Sequence, residues 1–387
     1  MSKRSSGKRS RKFRRLWSVI LLVIIAVVII AVVTGGLLLF FKSRTFSQYS
    51  ILSSVDIGSS SDSISLQEYG DGYILCAGDG LTYFTEDGIV WSESLEITQP
   101  ITDICGNYIA VGDIEGSDVY IYDSSGLAGH ISTDYSLLDI EISDSGVVAM
   151  ATNSSSSNYI ELKDIDGNEL VNAKSIFSSS GYLIDIALSD DATGLAAAFL
   201  YTADGALESR VLFYDFSGDS EDDDDILVGG FNQYSDTLIT NVIYMDGDVV
   251  CAVGDNALTF YDFSGTPEIM TESLDLEWEI QTLHYTDEYV LIIANDGSGS
   301  AEYTAYVYDN SGTAVSQITL DTAYSNAMMS GKYILLYSSS SCSMYSLDGQ
   351  LRFTYTFEDN IDCLLSAGKR NRLLYISSGS AQFIKLK

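Results

Sequence analysis

A six-residue segment, FYDFSG, occurs twice in this chain, at residues 213–218 and again at 260–265. Related segments recur along the chain, and their closing glycines are Gly88, Gly126, Gly167, Gly218, Gly265, Gly312 and Gly349. Successive glycines are 37 to 51 residues apart, which is the period of a repeat that builds one four-stranded propeller blade. Each segment has the form of a β-hairpin, because an apolar strand end is followed by Asp, Ser and Gly, which tight turns prefer.

Two further strands precede each hairpin. The second strand of a repeat is a short apolar run, such as YILCAG at 73–78 or VLIIAN at 290–295, and eight such runs occur. The first strand begins with a small polar residue, as in DIEI at 139–142, and this pattern also occurs eight times. The chain has only two prolines, and its 32 glycines fall largely at turns. The sequence therefore predicts an all-β, eight-bladed β-propeller of four-stranded antiparallel blades.

The eighth repeat lacks an outer strand of its own. It ends with AQFIKLK at 381–387, where its hairpin glycine would fall. Residues 49–57, YSILSSVDI, have a strand-like pattern and belong to no repeat. We therefore expect residues 49–57 to pair with 381–387 and to complete the last blade, which leaves no open edge between the first and last blades.

The N-terminal segment has the pattern of a membrane anchor. Residues 1–16 contain eight Lys and Arg and no acidic residue, and residues 17–41 contain no charge. At 1.5 Å per residue the uncharged segment gives roughly 37 Å of helix, more than the hydrocarbon core of about 30 Å. The alternative is a cleaved signal peptide, although its apolar core usually has only about 7–15 residues.

The sequence thus predicts a basic cytoplasmic tail at 1–16, a single transmembrane helix at 17–41, a short linker at 42–48 and an extracytoplasmic propeller at 49–387. Because basic residues remain on the cytoplasmic side, the N-terminus is expected inside the cytoplasmic membrane and the C-terminal domain outside.

The charge is unevenly distributed. Ten of the 20 basic residues and none of the 54 acidic residues lie in the first 44 positions, so the remainder carries a net charge of −44. A domain of this charge repels nucleic acid and attracts cations. The expected partners are the lipid bilayer, through residues 17–41, and a protein of the cell envelope, with no nucleic acid.

The polar-led first strand, the apolar second strand and the Y-D-x-x-G hairpin resemble the blades of quinoprotein-type and WD-type propellers. With the basic tail, the single span and the acidic propeller, residues 1–387 resemble a family of clostridial membrane-anchored propellers, domain of unknown function 5711. The resemblance implies the fold and an envelope location, and no catalytic residues come with it. The WD dipeptide and the repeated tryptophan motifs of quinone-dependent enzymes are missing, and the chain has three Trp, so no quinone cofactor is expected.

One set of polar residues recurs once per blade, at the predicted opening of each innermost strand: Ser63, Asp103, Asp139, Asp185, Asn241, Thr282, Asn326 and Asp362. In a closed propeller these positions form a polar ring, expected at one mouth of the central channel. Two interpretations are open. The side chains bond neighbouring backbone N–H groups and hold adjacent blades together, or the ring binds a cation or a basic segment of a partner. No cofactor is predicted, and a divalent cation such as calcium is left open as a ligand.

Other candidates for chemistry are few. His130 and His284 lie in different repeats and are expected at the surface and in the channel or core, without a G-x-S-x-G motif or a phosphate-binding loop. The acidic segments at 164–169 and 220–225 lack the alternating ligands of a calcium loop, so they are predicted to be a hairpin turn and a solvated loop. No catalytic residue and no metal ligand is assigned.

The chain has five cysteines, an odd number for an exported protein. Cys76, Cys251 and Cys363 lie in apolar runs and are expected to be small core residues. A disulfide between Cys76 and Cys105 is left open.

These features favour a non-catalytic binding or scaffold module tethered to the membrane at the cell envelope. The alternative is an envelope carbohydrate-active enzyme that uses paired carboxylates on one propeller face. Two carboxyl groups about 5–9.5 Å apart in a deep, aromatic-lined pocket would favour the enzyme.

Overall fold

The structure is a computed structural model that describes residues 25, 45–58, 64–203, 205–218, 226–235, 237–275, 279–295, 303–320, 324–368 and 371–387. The chain divides into two units, residues 1–46 and 47–387. The predicted tail at 1–16, nearly all of the predicted transmembrane helix at 17–41 and the acidic segment at 220–225 lie outside the described residues. Within the described residues, no helix is long and apolar enough to cross a membrane.

The second unit consists of eight four-stranded antiparallel sheets, which we number as blades 1 to 8. The strands of blades 1 to 4 are β2 (Ile64–Tyr69), β3 (Gly72–Ala77), β4 (Gly80–Thr85), β5 (Gly88–Ser94), β6 (Pro100–Cys105), β7 (Tyr108–Asp113), β8 (Asp118–Asp123), β9 (Gly126–Ser132), β10 (Ser136–Ile142), β11 (Val148–Asn153), β12 (Ser157–Lys163), β13 (Glu169–Ile176), β14 (Tyr182–Leu188), β15 (Gly194–Ala203), β16 (Ala206–Asp215) and β17 (Leu227–Ser235). A short helix, α1 (Phe177–Ser180), connects blades 3 and 4.

The strands of blades 5 to 7 are β18 (Ile239–Met245), β19 (Val249–Gly254), β20 (Ala257–Asp262), β21 (Glu268–Asp275), β22 (Glu279–Tyr285), β23 (Tyr289–Asn295), β24 (Tyr303–Asp309), β25 (Ala314–Leu320), β26 (Asn326–Ser330), β27 (Tyr333–Tyr337), β28 (Ser341–Ser346) and β29 (Leu351–Thr356). Blade 8 contains β30 (Cys363–Ser366), β31 (Arg372–Ser377), β32 (Ser380–Leu386) and β1 (Tyr49–Asp56). The prediction of eight four-stranded antiparallel blades is confirmed.

The last blade is completed by the N-terminal strand, as the sequence predicted. Strand β1 pairs antiparallel with β32, from Tyr49 opposite Leu386 to Asp56 opposite Ser380. The next residue, Ile57, donates its N–H to the carbonyl of Gly379 over 2.9 Å. The first and last strands of the propeller therefore stabilise each other through backbone hydrogen bonds.

The hydrophobic core lies between the blades, because each sheet packs its faces against its two neighbours. The second strands are the most buried elements, and every residue of β3 and β19 is buried. Between blades 8 and 1 lies a cluster that includes Val55, Tyr73, Phe84 and Phe383, which we call the closure cluster. All five cysteines are free, and four are buried, so no Cys76–Cys105 disulfide is present.

Every outermost strand contains a β-bulge near its first residues. The unpaired extra residues there are Leu52, Val90, Ala128, Leu170, Val228, Met270, Val315 and Arg352. Strands β17 and β21 each have a second register shift further along. A bulge bends and twists an edge strand, which makes it a poor template for pairing with another chain. Strand β1 carries the same bulge although no hairpin joins it to β32.

Because the strands alternate in direction, the turn after the first strand and the turn after the third strand of each blade lie on one face of the propeller. We call this the hairpin face. The repeated FYDFSG-type segments form the outer turns of this face. In them an aspartate accepts a hydrogen bond from the N–H two residues later, as Asp262 does from Ser264 (2.9 Å) and Asp309 from Ser311 (2.9 Å).

Asp164 accepts hydrogen bonds from the backbone N–H groups of Asp166 and Asn168 in the same way. The segment at 164–169 is therefore a hairpin turn whose carboxylate is used within the loop. The closing glycine is conformationally required in only part of the set. Gly312 has φ +75°, and a Cβ there would lie 2.6 Å from Thr271 Oγ1. Gly265 has no positive φ, and a Cβ there would meet no atom within 4 Å.

Candidate functional site

The structure moves the polar ring away from the position that the sequence suggested. Asp139, Asp185 and Thr282 are the central residues of seven-residue innermost strands and do not open them. With a rise of about 3.3 Å per residue, they lie roughly 10 Å from either end of the strand. The predicted position at the opening of the strand is therefore wrong for these three residues, because their innermost strands begin three residues earlier than predicted. A ligand site at the channel mouth stays a prediction. Ser63 lies outside the described residues.

A bulge in the innermost strand explains why the polar residue recurs at the same position along that strand. In four consecutive blades an extra residue directly precedes the polar one: Leu138, Ile184, Thr240 and Gln281. A bulge re-aims the side chains that follow it, and bulges are frequent beside functional sites. The recurring irregularity presents Asp139, Asp185, Asn241 and Thr282 in equivalent local settings.

Three aspartates of the ring connect adjacent blades. Asp103 Oδ2 accepts a hydrogen bond from the Ile142 N–H over 2.7 Å. Asp185 Oδ2 accepts from the Val242 N–H over 2.7 Å, and Asp139 Oδ2 accepts more weakly from Ile186 over 3.4 Å. Each N–H belongs to the innermost strand of the next blade, whose inner edge has no strand partner. The hydrogen bonds expected from a structural role are thus present at these three positions.

Other ring positions have different partners. Asp362 Oδ2 accepts from the Ser378 N–H within its own blade, over 2.7 Å. The Thr282 hydroxyl lies 3.1 Å from the Tyr324 hydroxyl. Asn326 opens β26, as predicted. The described ring positions are thus all polar, but the carboxylates that accept hydrogen bonds from a neighbouring blade come from blades 2, 3 and 4.

Glu141 joins the three aspartates and was missed by the sequence analysis. It lies two residues after Asp139 on β10 and therefore on the same side of that strand. Its carboxylate accepts a hydrogen bond from the Leu188 backbone N–H of the next blade. The available signal was the second acid in the segment DIEI. We call Asp103, Asp139, Glu141 and Asp185 the acidic arc.

The acidic arc retains protons more tightly than isolated carboxyl groups do. Burial raises the pKa of Asp103 to about 6, against the opposing effect of its backbone hydrogen bonds. Burial, followed by the charges of the three aspartates, raises the pKa of Glu141 well above its usual value. Burial and the neighbouring Asp139 likewise raise the pKa of Asp185. Desolvation disfavours the charged form, so a cation that enters the arc would displace protons.

Tyr285 faces the arc from β22. Its pKa is raised first by burial and then by Glu141, Asp185, Asp103 and Asp139. The side chain is 47 % exposed. The adjacent His284 has an Nδ1 atom without a hydrogen-bond partner among the described residues, and burial lowers its pKa.

His130 lies on the outer strand β9, as expected for a surface residue. It is stacked on Tyr120 and hydrogen bonded to Asp118 over 2.9 Å. Hydrogen bonds from Ser132 and His130 hold the pKa of Asp118 below its usual value. A general acid needs a raised pKa, so this carboxylate is unsuited to that role.

The geometry bears on two kinds of site, a pair of glycosidase carboxylates and a metal site. The carboxyl groups of Asp139 and Asp185 are hydrogen bonded to each other, which is closer than the roughly 5 Å that paired glycosidase carboxylates need. In the described part of the chain, no group of three or more His, Cys, Asp or Glu side chains is arranged to hold a metal ion.

Comparison with known proteins identifies the family of this chain. The profile of the family described as "Family of unknown function (DUF5711)" matches residues 42–386. The chain belongs to this family. The match covers the whole DUF5711 propeller, including the closing strand β1 and all eight ring positions. No curated protein matches the sequence.

One solved structure agrees with the fold of this DUF5711 protein, and a second is reported beside it. The Saccharomyces cerevisiae protein Sqt1 superposes with a TM-score of 0.55 at 10 % identity, covering 89 % of this chain and 99 % of Sqt1. The Neurospora crassa Pan2 WD40 domain gives a TM-score of 0.45 at 10 % identity, covering 74 % and 88 %. At these identities the likeness concerns the fold alone.

Proposed function

We propose that this DUF5711 protein is a non-catalytic binding or scaffold module, tethered to the cytoplasmic membrane and displayed outside it. The acidic arc carries the proposal. Four carboxyl groups from three successive blades converge in the channel, and among the described residues no Lys or Arg forms an ion pair with them. Inter-blade hydrogen bonds hold them in fixed positions, so the arc is preorganised for a cationic group.

The partner that fits this site is an envelope protein that presents a basic segment to the channel. A net charge of −44 after residue 44 attracts such a segment from a distance, and the arc provides the local charge. Entry of the cation favours deprotonation of Glu141 and Asp185, whose raised pKa values make binding weaker at low pH. The anchor at 17–41 is supported by its length and by the basic block before it.

Site-specific photo-crosslinking in intact cells tests the proposal. A photoreactive residue in place of Tyr285 is expected to capture a protein through a Lys- or Arg-rich segment. The double variant Glu141→Gln with Asp185→Asn, combined with the same probe, is expected to reduce the adduct at least tenfold. A photoreactive residue at the exposed Leu207 is the matched control. Capture at Tyr285 that is unchanged by the double variant would contradict the proposal.

A further inference from the structure

An exposed apolar patch lies at the rim of the propeller, where the outermost strands of blades 8 and 1 are neighbours. It consists of four residues at and beside the two bulges, between 41 % and 54 % exposed: Ile51, Leu52, Ile89 and Val90. We call these four residues the rim patch. Apolar residues are also exposed at the bulges of other blades, as Ile269 and Met270 are in blade 5. Exposure alone therefore does not distinguish blades 8 and 1, and two further features do.

The first feature is the short tether, because blade 8 is where the predicted anchor joins the propeller. The Gln48 N–H donates to the Lys387 carbonyl over 3.3 Å, and the Lys387 N–H donates to the Gln48 carbonyl over 2.7 Å. Strand β1 begins at the next residue. With residues 17–41 in the bilayer, residues 42–48 keep this end of β1 within about 25 Å of it. At so short a distance, a contact that is weak between separate molecules acts at a high effective concentration.

The second feature is charge, because blade 8 differs from the rest of the acidic propeller. Residues 49–57 and 361–387, which make up this blade, contain five basic and two acidic residues, so their net charge is +3. The chain after residue 44 as a whole carries −44. Of the basic residues in blade 8, Lys385 and Lys387 are exposed at the end of β32. An anionic lipid surface therefore attracts blade 8 and repels the acidic blades.

The lysines and the rim patch meet at the border between blades 8 and 1. Lys385 lies two residues after Phe383 and therefore on the same side of β32, and Phe383 belongs to the closure cluster between these blades. Ile89 is paired across the sheet with another residue of that cluster. The turn before Ile89 contains one exposed acid, Asp87, which opposes the attraction to anionic lipid. The other acid, Glu86, is paired with an arginine of blade 8 over 2.9 Å.

We propose that the rim patch and the basic end of β32 contact the lipid surface of the bilayer that holds the anchor. The apolar side chains enter the headgroup region, and Lys385 and Lys387 pair with lipid phosphates. The inference rests on the proposed anchor at 17–41 and goes beyond it, because it assigns a second lipid contact to the propeller itself. It turns blades 8 and 1 toward the membrane and blades 4 and 5, on the opposite side of the ring, away from it.

Lipid-borne quenchers measure which side of the ring approaches the bilayer. The full chain with Cys105→Ser is reconstituted into vesicles of phosphatidylcholine and phosphatidylglycerol in equal amounts, with a doxyl-labelled lipid as the quencher. A fluorescent probe is attached at Ile89→Cys in blade 1 or at Ile269→Cys in blade 5. The two positions are matched, because each directly precedes a bulged residue and they are 47 % and 41 % exposed. Quenching is expected to be about threefold stronger at Ile89→Cys, since interfacial side chains lie roughly 5–10 Å deep.

Variants in the rim patch test the contact itself. Leu52→Glu, with the probe at Ile89→Cys, is expected to reduce quenching about twofold, because a charge in the apolar contact is costly to desolvate. Met270→Glu places the same charge at the bulge of blade 5 and should leave quenching at Ile89→Cys unchanged. Both residues are more than 40 % exposed, so neither variant is expected to unfold the propeller.

Flotation of the vesicles tests the anchor separately. A chain that does not float with the vesicles would contradict the anchor and, with it, this inference. A chain that floats but shows equal quenching at Ile89→Cys and Ile269→Cys, or none at either, would overturn the lipid contact and leave the anchor standing. Quenching at Ile89→Cys that Leu52→Glu and Met270→Glu reduce equally would also overturn the contact.

Discussion

At the scale of single residues, two sets of aspartates differ in their chemistry. The hairpin-turn residues Asp164 and Asp262 have a pKa below the usual value because loop N–H groups or hydroxyls donate to them. Those of the acidic arc have raised pKa values because they are desolvated in the channel and lie beside one another. The first group could be predicted from turn chemistry. The sequence could predict that the aspartates of the acidic arc recur once per blade around the axis. Their position along the innermost strand and the participation of Glu141 could not be predicted, because both depend on a bulge that has no signature in the residue pattern.

The arc predicts how stability depends on pH. A carboxyl whose folded-state pKa is raised binds its proton more tightly in the folded protein, so its stabilising effect is complete at low pH and is lost as pH rises through the folded-state pKa. The free energy of unfolding should therefore increase as pH falls from 8 towards 5, by at most about 1.4 kcal/mol per pH unit for each proton taken up.

The variant Glu141→Gln should show a smaller increase over the same range, because one of the titrating groups is removed. Urea unfolding at pH 8, 7, 6 and 5 measures the difference, with Glu358→Gln at an exposed loop position as the control. An unchanged pH dependence in Glu141→Gln would show that this carboxyl is not desolvated in the folded protein.

At the scale of elements, strands and turns could be predicted because each blade repeats the same order of apolar runs and turn residues. The bulges could not. In the outermost strands the extra residue is usually apolar, as Leu170 and Met270 are, so the composition of the strand is unchanged and only its hydrogen-bond register reveals the insertion. Closure by residues 49–57 could be predicted because an unassigned strand and an incomplete repeat occurred in one chain.

The closing strand offers a direct comparison between neighbouring positions. Val55 is 8 % exposed and belongs to the closure cluster, whereas Leu52 is the bulged residue of the same strand and is 41 % exposed. Val55→Ala should lower the free energy of unfolding by about 1–2.5 kcal/mol, since buried methyl groups are removed. Leu52→Ala removes more atoms but should cost less than about 0.5 kcal/mol. Denaturant unfolding of both variants decides the matter, and a larger loss for Leu52→Ala would refute the assigned register.

At the scale of the whole molecule, the charge distribution and the predicted anchor together predict the orientation of the chain in the membrane. All 54 acidic residues follow the uncharged segment at 17–41, and eight of the 20 basic residues precede it. If basic residues stay inside, the acidic propeller is exported. The structure supplies a practical condition for testing this: four of the five native cysteines are buried, and only Cys105 is partly accessible. A cysteine introduced at the surface, in a Cys105→Ser background, can therefore report its own compartment.

The reporter positions are Ser155, which lies in an exposed turn of blade 3, and Gly7, in the basic tail. In intact cells, a membrane-impermeant maleimide should label Ser155→Cys fully, because the propeller is predicted to lie outside the membrane. Gly7→Cys should be labelled only after permeabilisation, because its eight basic neighbours hold the tail inside. Both variants should remain with the membrane fraction if residues 17–41 are an uncleaved anchor. Labelling of Gly7→Cys with protection of Ser155→Cys would reverse the orientation, and loss of the Gly7 reporter from the mature protein would indicate a cleaved signal peptide.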